Sequence, residues 1–317
     1  MDLVTFLITT YNSEKWIEEC LKSVINQTHK NLQILIIDDG SEDKTVDHIR
    51  KISDSRIELF CKVHSGISKS INYSLDKIKG EYVARIGSDD YCLSDRISKQ
   101  LKFFTENESY GIIGSNFILV DETGSRLEKI RNPEKHFDIV DQLPRRCCIW
   151  DGSVLMRKNL IKKLKGYNES RQTGEDWDFF LRAIGVAKFH NIQEFLSSKR
   201  IHPLNISFSD SAFKETEDIL LSYNNLVIEK SKDKKLIDKA NFNIGYHYYY
   251  ENKFKTANEY FEKATHNGDF SFQYIRYYIF NKYLNSFIMF YRKHKLYKML
   301  DWLRYFDNSN KYLRNKF

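Results

Sequence analysis

Gly80-Glu81-Tyr82-Val83-Ala84-Arg85-Ile86-Gly87-Ser88-Asp89-Asp90-Tyr91 begins as a strand and ends in two adjacent carboxylates. Tyr82, Val83 and Ile86 are strand-forming residues, Gly80 breaks what precedes them, and Gly87-Ser88 stops the run. In an open α/β sheet, ligands collect beyond the carboxyl ends of the strands. A carboxylate pair there suits a hard divalent cation such as Mg²⁺, which takes one or two protein carboxylates and fills its other positions with water and phosphate. The competing reading is a strand-to-helix turn in which an Asp caps the next helix. The residues upstream bear on the choice.

Leu3 to Thr10 is an apolar, β-branched run typical of a buried strand, and Leu32 to Ile37 is a second. Between them Tyr11-Asn12-Ser13 makes a turn, with Asn12 or Ser13 as a natural N-cap. Trp16, Ile17, Cys20, Leu21, Val24 and Ile25 then recur at helical spacing. A helix over about 42–52, a strand over 56–61 and a helix over 65–77 follow. Three strand–helix units thus precede the Asp pair, the pattern of a βαβαβ nucleotide-binding half. Thr9, Thr10, Tyr11 and Asn12 follow strand one, and Asp38 and Asp39 follow strand two. A carboxylate in that place suits a ribose hydroxyl or a base N–H, and Tyr11 suits a base. No G-x-G-x-x-G follows strand one and no G-x-x-x-x-G-K-[ST] occurs. An ordinary dinucleotide site and a P-loop are therefore disfavoured, and phosphate charge would need the metal.

The 317 residues are 41% hydrophobic and 15% aromatic, with only 3 Pro and 13 Gly, so a packed core without long linkers is expected. The 5 Cys are odd in number and lack C-x-x-C spacing, as expected of thiols in a reducing cytoplasm. The amino terminus leads directly into a strand, so no signal peptide is expected, and no run of about 18 apolar residues predicts a membrane span. The net charge is +7. From Phe272 onward there are ten basic residues against Asp301 and Asp307, so the excess belongs to the tail.

Thr9-Thr10-Tyr11-Asn12-Ser13-Glu14, Ser23-Val24-Ile25-Asn26-Gln27-Thr28, Ile36-Ile37-Asp38-Asp39-Gly40-Ser41-Glu42-Asp43 and the stretch 80–90 resemble, in order, the motifs of family 2 glycosyltransferases. These are inverting enzymes of the GT-A fold. The resemblance runs from residue 2 to about residue 208. It implies that Thr9, Tyr11, Asn12 and Asp39 contact the nucleotide. It implies the same donor-side role for Arg85 and Arg200, and it sets Asp89 and Asp90 at the family's D-x-D motif. Asp90 is assigned to a Mg²⁺ or Mn²⁺ ion and Asp89 to ribose or metal. Many relatives carry Asp where this chain has Gly87. Arg96 is either near the donor or an ion-pair partner at a solvated helix start. In the segment before Gly152-Ser153-Val154-Leu155-Met156-Arg157 the family often has His where this chain has Asp151, which leaves that residue's role open.

Gly174-Glu175-Asp176-Trp177-Asp178 opens a helix whose apolar residues Trp177, Phe180, Leu181 and Ile184 recur at helical spacing. A carboxylate at a helix start is favoured in its ionised form. Such a residue is often only a cap, but it matches the family's E-D motif, and by that resemblance Asp176 is the catalytic base, with Glu175 beside it. Inversion needs one base to take the acceptor's proton. Arg200 and His202, in Lys199-Arg200-Ile201-His202-Pro203, resemble the family segment that folds over the donor, which implies a diphosphate or metal contact.

The expected architecture is α/β, the GT-A nucleotide-diphospho-sugar transferase fold, a Rossmann-like mixed sheet flanked by helices. It covers residues 1–208, and an α-helical extension covers 209–317. Ile244, Gly245, Tyr248, Ala257, Phe261 and Ala264 match one tetratricopeptide-like helical pair. The basic aromatic tail fits either an interfacial helix on an anionic membrane or ordinary packed helices. The expected partners are a nucleotide-sugar donor, with UDP expected, and a saccharide or lipid-linked saccharide acceptor; no nucleic acid is expected. The expected location is the cytoplasm or the inner face of its membrane, in cell-surface polysaccharide synthesis. A non-catalytic nucleotide-sugar-binding or scaffold protein is the rival, favoured only by Gly87.

Overall fold

Seven consecutive residues that are apolar or β-branched, Val4–Thr10, make strand β1. In this computed structural model, which describes residues 2–206 and 209–265, it lies inside a nine-stranded sheet ordered β3-β2-β1-β4-β8-β6-β9-β5, with β7 paired to β6. The first half alternates strands with helices: β1, α1 (Ile17–Ile25), β2 (Leu32–Asp38), α2 (Thr45–Arg50), β3 (Ile57–Cys61), α3 (Ile67–Ser74) and β4 (Tyr82–Gly87). Parallel neighbours need such crossovers. Ile17, Cys20, Leu21 and Val24 of α1 are fully buried with Phe6, Ile8, Ile34 and Ile36 in one core cluster. Thr10 pairs with Asp38 and Thr9 with Gly87. The three strand ends that carry the polar motifs are therefore level.

The second half contains β5 (Tyr91–Cys92), α4 (Arg96–Glu106), β6 (Tyr110–Val120), β7 (Arg126–Ile130), α5 (His136–Gln142), β8 (Leu155–Arg157), α6 (Lys158–Lys163), α7 (Glu175–Ala183) and β9 (Lys188–Arg200). The helix opening at Glu175 agrees with the sequence reading. The 13-residue strand β9 is not foreseen by it. β9 runs parallel to β6 and antiparallel to β5, with Tyr91 opposite Ser198. It carries Lys199 and Arg200 to the level of the Asp pair. Arg96 takes neither role considered for it. It is fully buried, donating from Nη1 to the Gly152 carbonyl (3.0 Å) and from Nη2 to those of Arg85 and Val154 (2.9 Å each).

After residue 208 come three helices, α8 (Asp210–Lys230), α9 (Lys234–Tyr250) and α10 (Phe254–Thr265). The chain divides into two compact units, Met1–Ile219 and the remainder from Leu220, so the division falls inside α8. The first turns of α8 belong with the sheet because Glu215 accepts the Gln172 and Thr173 N–H groups and Asp218 pairs with Arg171. In the second unit Phe242, Tyr249, Ala257, Phe261 and Ala264 form a small core. A β-carbon on Gly245 would lie 2.7 Å from the Phe261 ring, so the missing side chain lets α10 approach α9. Ile244 is buried beside it. Among the described residues no helix is long and apolar enough to cross a membrane. The basic aromatic tail from Phe272 lies outside the described residues.

Candidate active site

Tyr11, past the end of β1, is 42% exposed, and its ring packs on that of His64 with centroids 4.2 Å apart. Asn12 adopts a left-handed conformation (φ 49°), which Asn tolerates better than most residues. Its N–H donates to Ser41 Oγ and its Oδ1 accepts from Glu42 N–H, which ties the loops after β1 and β2 together. Asn12 is therefore committed to holding these two loops together. Thr9, at the end of β1, is partly buried. Asp39 is buried and accepts from Lys62 Nζ (2.5 Å), Ser70 Oγ (2.7 Å) and the Gly66 N–H (2.8 Å), with His64 Nδ1 at 2.9 Å. Burial works to raise its pKa, but the Lys62 ammonium, the Ser70 hydroxyl and the Gly66 and Ser65 N–H groups outweigh it and hold Asp39 below its ordinary value. Lys62, His64, Ser65 and Ser70 are missed by sequence reasoning. Only Gly66 (φ 95°), just before α3, hints at a special turn there.

The Asp pair sits directly over Gly87. A β-carbon on Gly87 would lie 2.5 Å from Asp90 Oδ2 and 2.7 Å from Asp89 Oδ1. The two oxygens therefore converge on the space that a side chain would take, and Gly87 is what admits them. Asp90 is buried, and its Oδ1 accepts the Arg200 N–H (2.9 Å). Burial and then the neighbouring Asp89 push its pKa well up. Asp89 Oδ2 faces His202 Nε2 (2.9 Å) and accepts from Asn205 Nδ2 (3.1 Å). Because Leu204 N–H donates to His202 Nδ1, Nε2 carries the proton given to Asp89. The His202 ring also stacks on Trp16, centroids 4.1 Å apart.

These placements revise two expectations. The Arg200 side chain is 1% exposed, and its guanidinium is committed to the Asp89, Asp121 and Glu122 carbonyls and to Glu19 Oε2 (2.5 Å). It braces the Asp loop from beneath and has no donor turned to a diphosphate, because β9 carries it under the site. His202 has both ring nitrogens hydrogen-bonded, Nε2 to Asp89 and Nδ1 to the Leu204 N–H, so it would meet a metal only by giving up Asp89. Among the described residues no three His, Cys, Asp or Glu side chains are arranged to hold a metal. Asp89 Oδ1 and Asp90 Oδ2 nevertheless fit a divalent cation that draws its remaining ligands from phosphate and water. Two converging carboxylate oxygens, one of them buried, are a charge arrangement that a cation relieves.

A second carboxylate group forms at the start of α7. Gly174 (φ 67°) turns the chain into the helix, and the Trp177 N–H donates to Asp176 Oδ1 (2.7 Å). Glu175 is buried. Burial, then Asp176 and Asp151, push its pKa up to about 8, and burial, then Asp151, push that of Asp176 up to about 6. The pair titrates as a unit in two steps. Near pH 7 the pair therefore tends to keep one proton between its two carboxylates. Arg85, expected at the nucleotide, lies instead with this group. It is 3% exposed, donating from Nε to Asp151 Oδ2 (3.0 Å) and from Nη1 to the Leu7 carbonyl (2.9 Å). Its alternating position on β4 turns it from the Asp pair toward the other carboxylates.

The raised Glu175 pKa has a consequence for stability. The folded protein holds this proton from about pH 4.5, the ordinary glutamate value, up to about 8. The unfolded chain has released it over that interval, so stability falls as pH rises through it. Glu175→Gln should therefore melt progressively higher than wild type as pH rises from 5 to 8.5. Thermal melts with a constant difference across that range would contradict it.

Residues 5–164, half of the chain, match the model of Glycosyl transferase family 2. An uncharacterized glycosyltransferase of Haemophilus influenzae is 31% identical over 212 residues, covering 63% of this chain and 66% of that protein, just under two thirds of its length. The O-antigen biosynthesis glycosyltransferase WbnJ of Escherichia coli is 26% identical over 222 residues, covering 68% and 86%. Among solved structures, S. aureus TarS 1-349 in complex with UDP-GlcNAc superposes with a TM-score of 0.63 at 17% identity, covering 83% of this chain and 82% of that one. The mannosyltransferase PcManGT from Pyrobaculum calidifontis, in complex with GDP-Man and Mn²⁺, gives 0.59 at 15%, covering 89% and 84%. At such identities these two speak for the fold alone, a GT-A-like mixed sheet flanked by helices. With that sheet, and with a family match over half its length, the chain belongs to glycosyl transferase family 2.

Proposed function

We propose that the chain transfers a sugar from a nucleoside-diphosphate sugar, with UDP as the nucleoside diphosphate, to a hydroxyl of a saccharide acceptor, inverting the anomeric configuration. One observation carries the reading. The Lys199 ammonium acts on both Asp90 and Asp176, which supports reading the carboxylate pair at the end of β4 and the helix-start carboxylate as two sides of one site. Tyr11 and the loop organised by Asp39 form the nucleotide side. Asp89 and Asp90 would hold a divalent ion such as Mg²⁺ or Mn²⁺. That ion, when bound, neutralises charge growing on the departing diphosphate. Arg200 and His202 keep the two carboxylates in place. Across the cleft Asp176 takes the acceptor's proton as the hydroxyl attacks the anomeric carbon.

The carboxylates Asp89, Asp90 and Asp176 favour a catalyst over a passive binder, and the room above Gly87 answers the one feature that pointed the other way. The donor nucleotide is supported by the UDP-GlcNAc bound in TarS, the metal by the Mn²⁺ bound in PcManGT, and a polysaccharide setting by the name of the E. coli relative. The direct test is nucleoside diphosphate release from a panel of nucleotide sugars with Mg²⁺ or Mn²⁺. Slow release from at least one UDP-sugar, stopped by chelation, is expected. Equal, metal-independent inertness toward the whole panel would refute the reading.

A further inference from the structure

The His64 imidazole makes the two contacts that a nucleobase would make at this edge of the sheet. Its ring lies on that of Tyr11, with centroids 4.2 Å apart and planes inclined by 30°. Its Nδ1 faces Asp39 Oδ2 at 2.9 Å and the Asp39 carbonyl at 3.1 Å. Both are acceptors, so Nδ1 carries the proton. The rest of the Asp39 carboxylate is taken. Oδ1 accepts from Lys62 Nζ, Ser70 Oγ and the Ser65 N–H, and Oδ2 accepts the Gly66 N–H (2.8 Å). A carboxylate oxygen offers about two lone-pair sites. On Oδ2, the place of the imidazole is therefore the one that a base N–H could take.

The imidazole is held less firmly than the loop that carries it. Its side chain is 55% exposed. The loop is fixed through other atoms: the Lys62 N–H returns to the Asp38 carbonyl (3.0 Å), and Lys62 Nζ donates to Ser65 Oγ and the Val63 carbonyl. A β-carbon on Gly40 would lie 2.8 Å from the His64 nitrogen, so Gly40 lets the His64 backbone close on the loop after β2. Rotation about the His64 side-chain bonds would release the ring and leave the other partners of Asp39 where they are.

We propose that His64 is a specificity-determining residue that fills the nucleobase slot and yields it to the base of the donor. This rests on the reading of Tyr11 and Asp39 as the base side of a nucleotide-sugar site. The exchange is ring for ring on Tyr11 and N–H for N–H on Asp39. It is repaid only by a planar base that brings its own N–H, as uracil does at N3. A base without one would cost Asp39 its His64 hydrogen bond and return nothing to Oδ2. A ligand that is phosphate alone has no use for the slot and leaves His64 in place.

The test is calorimetric titration of UDP and of inorganic pyrophosphate, each with Mn²⁺, into wild type and His64→Ala. His64→Ala should bind UDP about three- to tenfold more tightly, because the base no longer has a hydrogen bond to displace. Its affinity for pyrophosphate should match that of wild type. Should His64→Ala not accumulate as folded protein, His64→Ser carries the same comparison. Unchanged or weaker UDP binding by the folded variant overturns the inference, since His64 would then flank the base and not stand in its place. An equal gain for pyrophosphate also overturns it, because the effect would not lie at the base. The two readings separate on UDP itself. If neither wild type nor the variant binds UDP, the nucleotide site falls and the slot with it, whereas UDP binding that His64→Ala fails to improve removes only the displacement.

Discussion

Asp176→Asn should lower kcat by about 10²–10⁴-fold, the range over which a positioned general base acts, and leave nucleotide-sugar affinity near wild type. The substitution keeps the size of the side chain and an Oδ1 that can accept the Trp177 N–H, so the start of α7 is preserved. What is lost is the proton acceptor. Because the donor nucleotide would sit across the cleft, at Tyr11, Asp39 and the Asp pair, its binding has no reason to change. Glu175→Gln should be milder, because it leaves the Asp176 carboxylate in place as the proton acceptor. Normal turnover by Asp176→Asn with a dead Glu175→Gln would exchange the two roles.

Asp90→Asn is expected to have an effect of similar size, on the order of 10²-fold or more in divalent-stimulated kcat, since a metal-stabilised leaving group is worth several kcal/mol. Asn preserves the acceptor for the Arg200 N–H, so the loop that β9 supports should stay folded. It removes the formal charge at the one place where two carboxylate oxygens converge above Gly87. Asp89→Asn should be weaker in this respect, because Asp89 shares its other oxygen with His202 and Asn205. Unchanged metal stimulation in Asp90→Asn would move the cation elsewhere.

The parallel half of the sheet was legible because its strands are dominated by apolar and β-branched residues and its longer helices show apolar stripes. The Asp pair and the Glu175-Asp176 helix start were legible for the same reason: each follows a strong periodic element. Strand β9 was not. Its buried positions include Asn191, Ser197 and Ser198, and its pairing with β6 shifts register around Asn116. Asn191 finds its partners at the Pro133 and Cys148 carbonyls, far away in sequence. A strand whose inward residues are polar reads as a loop until the topology brings those carbonyls to it.

Three arginines show the same limit. Arg85, Arg96 and Arg200 read as surface charges or phosphate ligands, yet all are buried and each donates to at least one backbone carbonyl. Nothing local to an arginine tells whether its guanidinium will meet a ligand or a set of carbonyls. That depends on which strand ends the fold places around it. Gly87 is the converse case. What looked like a lost ligand in the motif is the vacancy into which both carboxylates lean.

The most direct test of the proposed site is calorimetric titration of UDP into wild type and Asp90→Asn, each with and without Mn²⁺. The site described here predicts that Mn²⁺ strengthens binding to wild type by about tenfold or more and leaves Asp90→Asn unaffected. Equal Mn²⁺ enhancement in both proteins, or wild-type binding indifferent to the ion, would contradict it.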